Sequence, residues 1–147
     1  MAQIRRATAN WEGDLPTGNG VVSAGTSGVF SDLPITWRAR TEASDGLTSP
    51  EELLASALAS CFAMASSNNL AKAGYPVDHS DVSVEVTADK RDAGWTVISA
   101  HITLRSQVPG IDDATYQSAV NGAKTGCPIS RSLAGNVEIT LSATLVA

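Results

Sequence analysis

Positive charge is what this chain is most clearly short of. Its 147 residues carry 10 Lys and Arg against 15 Asp and Glu, a net charge of −5. A protein that grips nucleic acid by its phosphates needs a basic face, so no nucleic-acid partner is expected. No uninterrupted apolar run is long enough to span a bilayer, so no membrane partner is expected either. No sustained apolar stretch follows Arg5 and Arg6, so no secretory signal is expected and the predicted address is cytoplasmic. There are no internal repeats and no low-complexity tract. Cysteine and histidine occur only twice each. In a reducing compartment a cysteine pair is more often a working thiol, or buried filler, than a structural staple.

What is present is enough for a core. Hydrophobic residues make up 43% and charged residues 17% of the chain, which excludes disorder and fits one domain over residues 1–147. The segments ATANWEGDL and GNGVVSAGTSGVFSDLPITWRAR read as strands with turns at Gly, Asn and Asp. A phosphate-binding loop runs from strand into helix, whereas the GNG of residues 18–20 is followed by more strand, so it reads as a hairpin turn. In the same way Arg38 and Arg40 fall on one face of a strand.

The stretch PEELLASALASCFAMASSNN predicts a long helix from Pro50. Ser49 is its N-cap, Pro50 its first residue and Glu52 the third position of a capping box, with Lys72 and Gly74 at the far end. No charged residue lies between Leu53 and Ala71, so the helix is expected to be buried on most sides. VSVEVTA and WTVISAHITL alternate as two antiparallel strands. A second helix runs from about Asp112, its N-cap, to Lys124. A short helix restarts at CPISRSL, with Cys127 near the N-cap and Pro128 first, and NVEITLSATLV is the last strand. This order gives an α+β fold, a long central helix packed on a mostly antiparallel sheet.

Sequence alone does not say whether Cys61 and Cys127 meet. They could be buried filler, a structural disulfide, or, with His79 and His101, zinc ligands. No pair of the four has the short spacing usual for a zinc site, and both histidines read as ordinary exposed or satisfied residues. The chemical alternative is a nucleophilic thiolate that a peroxide converts to a sulfenic acid, and a second thiol that condenses with it. Cys127 has a helix start to lower its pKa. Cys61, in mid-helix, needs an outside cation. These physical arguments do not choose the attacking member.

The motifs WEGD, GNGVVS, RART, SPEELLASALASCFAMA, DKRDAGW, VPGID and AKTGCPIS, in this order over nearly the whole chain, resemble the OsmC/Ohr family of thiol-dependent hydroperoxide reductases, and the OsmC branch in particular. The resemblance implies that Cys61 attacks the peroxide, that Cys127 resolves it, and that Arg40 and Glu51 position the peroxide and hold the thiolate. It implies an intertwined homodimer with two active sites at its interface. Glu51 and Cys61 are ten positions apart, about 15 Å of helix, so a Glu51 that serves a thiolate is expected to serve the partner chain's. Because a carboxylate beside a thiolate raises its pKa, Glu51 reads as a tether that aims the Arg40 guanidinium.

The implied reaction reduces an organic hydroperoxide, and hydrogen peroxide more weakly, to alcohol and water, with regeneration by a dithiol of the lipoyl type. No cofactor is expected: no metal, flavin or nucleotide is called for. Phe62, Met64, Ile129 and Leu133 are candidates to line an apolar substrate pocket. The rival reading on the same scaffold is a non-enzymatic carrier of a small apolar ligand, which would not need both cysteines, the arginine and the glutamate.

Overall fold

A computed structural model of the chain describes residues 1–146, which form two compact units, Met1–Leu53 and the residues from Leu54 onward. The first holds strands β1 (Thr8–Glu12), β2 (Asn19–Ser23) and β3 (Leu33–Thr36), antiparallel in that order, then the short helix α1 (Trp37–Thr41). It ends in the first turn of helix α2 (Pro50–Lys72).

Two sequence expectations change in this unit. The β1–β2 hairpin exists, but its turn precedes the GNG. Gly13 takes a φ of +86°, and the Asp14 carboxylate accepts hydrogen bonds from the Thr17 N–H (2.9 Å) and hydroxyl (2.6 Å). Asp14 therefore supplies the closure expected of residues 18–20, two of which open β2 instead. Gly20 lies against β1 where a Cβ would run into the Asn10 carbonyl, which is why glycine stands there. The second change concerns Arg38 and Arg40, which lie on α1 and not on a strand. Thr36 Oγ1 accepts from the Ala39 N–H at 3.0 Å and caps the helix, and Arg and Ala then propagate it. Two positions on a helix are about 200° apart, so the arginines face different ways.

Helix α2 starts as the sequence predicts: the Glu52 N–H donates to Ser49 Oγ at 3.2 Å, and Thr48 Oγ1 donates to the Glu52 carboxylate at 2.7 Å. It ends in a Schellman turn, with Gly74 at φ +92° and the Tyr75 N–H on the Leu70 carbonyl at 3.0 Å.

In the second unit, α2 is followed by β4 (His79–Arg91), β5 (Gly94–Gln107), α3 (Asp113–Gly126), α4 (Pro128–Leu133) and β6 (Glu138–Val146). Strand β5 is central, antiparallel to β4 and parallel to β6. The architecture is α+β, and among the described residues three of the four strand pairings are antiparallel. The alternation in β4 and β6 follows from a sheet with one covered face. The core joins Leu58, Phe62 and Leu70 of α2, Ala100, Ile102 and Leu104 of β5, and Tyr116, Val120 and Ala123 of α3.

Burial of α2 differs from expectation. Leu58, Phe62, Ser66 and Leu70, four residues apart, form a single buried stripe, while Ser56, Ser60, Met64 and Asn68 are exposed. Uncharged residues thus cover its outward row as well as its inward one. The chain alone leaves that row open.

Candidate active site

Cys127 is fixed from both sides. Its N–H donates to the Ala123 carbonyl at 2.8 Å, closing α3, and its own carbonyl accepts from the Arg131 N–H at 2.9 Å, opening α4. The residue is the C-cap of one helix and the N-cap of the next, with Pro128 at the first position of α4, where its missing N–H costs nothing. Gly126, one residue earlier, ends α3. Helix α2 is tied to α3 nearby, where Asn69 Nδ2 donates to the Ala119 carbonyl at 3.2 Å.

This junction delivers the Cys127 sulfur to Cys61. Both cysteines are free thiols, and their sulfurs are 2.7 Å apart. Their surroundings differ sharply. Cys127 is 0% exposed. Cys61 is half-buried and opens into a cleft of about 510 Å³, lined also by Met64, Ala65, Asn68, Gly126 and Pro128.

The two thiols also differ in acidity. Burial pushes the Cys61 thiol up, the hydrogen bond with Cys127 pushes it further, and the Ile129 N–H opposes this only in part. Burial would raise Cys127 too. There the hydrogen bond from Cys61, the N–H groups of Ser130 and Ile129 and the Ser130 hydroxyl outweigh it, and the net shift is downward. In the neutral pair the Cys127 S–H donates to Cys61 Sγ. When Cys127 ionises, the bond reverses and Cys61 becomes the donor. Ser130 was missed in the sequence reading. It stands three residues after Cys127 at a helix start, and that spacing was the available signal.

The first unit holds the other expected pair. Arg40 Nε donates to Glu51 Oε1 and Oε2 at 3.0 and 3.2 Å, and Arg40 Nη2 donates to Oε1 at 2.8 Å. The Glu51 carboxylate is the more buried partner, its side chain 12% exposed. The guanidinium also lies 5.7 Å from the centroid of the Trp37 ring, a second constraint on its plane. Arg38 instead pairs at the surface with Glu42 (3.3 Å) and Asp45 (3.9 Å).

The remaining candidates separate. Met64 is exposed and lines the cleft. Phe62 is fully buried in the core, while Ile129 and Leu133 are half-buried and pack against it. His79 pairs with Asp81 at 3.2 Å, and His101 is held between the hydroxyls of Thr140 (2.7 Å) and Ser142 (3.2 Å).

The family model for OsmC-like proteins matches residues 43–142, which include both cysteines and Glu51. Peroxiredoxin OsmC of Escherichia coli is 40% identical over 141 residues, 96% of this chain and 96% of that protein. The chain belongs to the OsmC-like family. An organic hydroperoxide resistance protein of Xanthomonas axonopodis pv. citri is 32% identical over 102 residues, 65% of this chain and 66% of that protein. The solved structure of the organic hydroperoxide resistance protein OhrB of Bacillus subtilis superposes with a TM-score of 0.71 at 26% identity, covering 95% of this chain and 98% of that one. The OsmC-like fold thus extends well beyond the stretch that the family model matches.

Proposed function

We propose that this OsmC-like protein is a cysteine-dependent peroxidase that reduces organic hydroperoxides, and hydrogen peroxide more weakly, at Cys61. The observation that carries the reading is the unequal sulfur pair, one thiol open to a cleft and the other wholly buried beside it. The names of its relatives, a peroxiredoxin and organic hydroperoxide resistance proteins, support the same class of reaction.

The Cys61 thiolate attacks the terminal oxygen of ROOH. The O–O bond breaks, ROH leaves after taking up a proton, and Cys61 becomes a sulfenic acid. Exposure supports attack by Cys61, since Cys61 lines the cleft while Cys127 is buried behind it. The surroundings described above raise the Cys61 pKa, so attack needs a cation. We assign that charge to Arg40, which also stabilises the alkoxide-like oxygen formed as O–O breaks. Glu51 holds the guanidinium plane through its three hydrogen bonds. Cys127, the more readily ionised thiol, then attacks the sulfenic sulfur, releases water and closes a Cys61–Cys127 disulfide. A dithiol of the lipoyl type reopens it.

The uncharged outward row of α2 fits a homodimer in which a second copy covers that face, with residues 1–147 acting as one functional domain and Glu51 serving the partner's site. The chemistry uses only side chains and substrate and calls for no cofactor. A cytoplasmic address suits two thiols that must be kept reduced between turnovers.

The deciding experiment follows consumption of an alkyl hydroperoxide with dithiothreitol while free thiols are counted. Catalytic consumption, with two thiols lost on stoichiometric oxidation, is expected. Intact peroxide together with a retained apolar ligand would favour the carrier reading instead.

A further inference from the structure

We infer that reduction is directional: the dithiol attacks the Cys61 sulfur, Cys127 departs as the thiolate, and the Ser130 hydroxyl is the hydrogen-bond donor that receives it. The inference rests on the proposed Cys61–Cys127 disulfide and concerns the half of the cycle that restores it.

Two features of the structure carry it. Access is one-sided, because Cys61 lines the open cleft whereas Cys127 is 0% exposed behind it. Backbone hydrogen bonds on either side of Cys127 close α3 and open α4, so its backbone is fixed at the helix junction.

The second feature is Ser130. It is 3% exposed, and its Oγ has no hydrogen-bond partner in the dithiol state. A buried hydroxyl without a partner is costly, and such groups are normally satisfied. Its effect on Cys127 is to favour the ionised sulfur. The hydroxyl is thus without a partner while Cys127 is protonated, and on this inference it turns to the Cys127 sulfur when that sulfur carries charge, as it does on leaving a disulfide. Exchange runs faster when the departing thiol is the more acidic one, so access and leaving-group acidity select the same direction.

The step balances. A dithiol thiolate attacks Cys61, forming a mixed disulfide and breaking the Cys61–Cys127 bond, whose electron pair goes to Cys127. The second thiol of the reductant then closes its own disulfide and expels Cys61. Two electrons and two protons pass from the reductant to the two cysteines.

The disulfide is formed with diamide, so the test does not depend on peroxide reactivity. It is exposed to a monothiol such as β-mercaptoethanol, quenched in acid and mapped by mass spectrometry. The expected adduct is on Cys61. An adduct on Cys127, or no intrachain disulfide with diamide, overturns the inference. In Ser130→Ala, reduction should slow about tenfold, the scale of one hydrogen bond to a charged group. Ser130→Thr, which keeps the hydroxyl, should recover part of the loss. The dithiol form of Ser130→Ala should be as stable as the parent or more so, since the hydroxyl has no partner there. Reduction of Ser130→Ala at the parental rate overturns the role of Ser130. Failure of the peroxidase reading is seen separately, as intact hydroperoxide in the presence of the same protein.

Discussion

Cys127 Sγ lies 2.7 Å from Cys61 Sγ across 66 residues of chain, the one meeting between the end of α3 and the middle of α2 through sulfur. A disulfide between them is the oxidised state proposed above, and the roles proposed for the two thiols can be separated by substitution.

Cys61→Ser should abolish hydroperoxide turnover with dithiothreitol. Cys127→Ser should still consume about one equivalent of peroxide, leave a sulfenic acid that a dimedone-type reagent traps, and proceed to sulfinic acid under excess peroxide. Intact-mass measurement distinguishes these products. Sustained turnover in Cys61→Ser would move the attack to Cys127.

Arg40→Ala should slow the oxidation of Cys61 by about 10²–10³, the range for losing one donor to a developing oxyanion. Arg38→Ala should change it by less than about twofold, because its surface ion pairs are screened. Stopped-flow oxidation of the reduced protein reads both. The reverse ranking would assign the site cation to Arg38.

Phe62→Ala and Met64→Ala separate core from cleft two positions apart on α2. Phe62 is 0% exposed and its truncation should cost about 3–5 kcal/mol of stability. Met64 is 69% exposed, so its truncation should leave the denaturation midpoint nearly unchanged and raise KM for a bulky hydroperoxide. Urea unfolding and steady-state kinetics on both variants check this.

Asp112 caps α3, accepting the Thr115 N–H at 2.9 Å and the Thr115 hydroxyl at 2.7 Å. These bonds hold its carboxyl below the ordinary aspartate range. The unfolded state thus takes up the proton first as pH falls. The stabilisation is complete above the unfolded-state pKa and is lost as pH drops through the folded-state value. Asp112→Asn, which still caps, should flatten the acid limb of the stability profile. Asp112→Ala should lower Tm by about 2–4 °C at neutral pH. A melting series against pH tests both.

Local signals written in single side chains settled helices α2, α3 and α4, though not α1. Ser49, Pro50 and Gly74 set the limits of α2, and Asp112 and Pro128 set the starts of α3 and α4, because capping is decided within four residues. The alternation of β4 and the order of elements were legible for the same reason. Two local errors lie within residues 18–40: the turn-like Gly-Asn-Gly opens β2 because Asp14 closes the hairpin earlier, and the strand-like run into Arg38 and Arg40 becomes helix under the Thr36 cap. Tertiary structure decided the rest. Which face of α2 is buried, that Phe62 is core and Met64 cleft, and that β6 runs parallel to β5 all depend on partners distant in sequence. Above all, the unequal acidity of the two cysteines is set by what lies around them. Cys127 collects N–H groups and a hydroxyl where one helix stops and the next begins, and Cys61 keeps the opening to solvent.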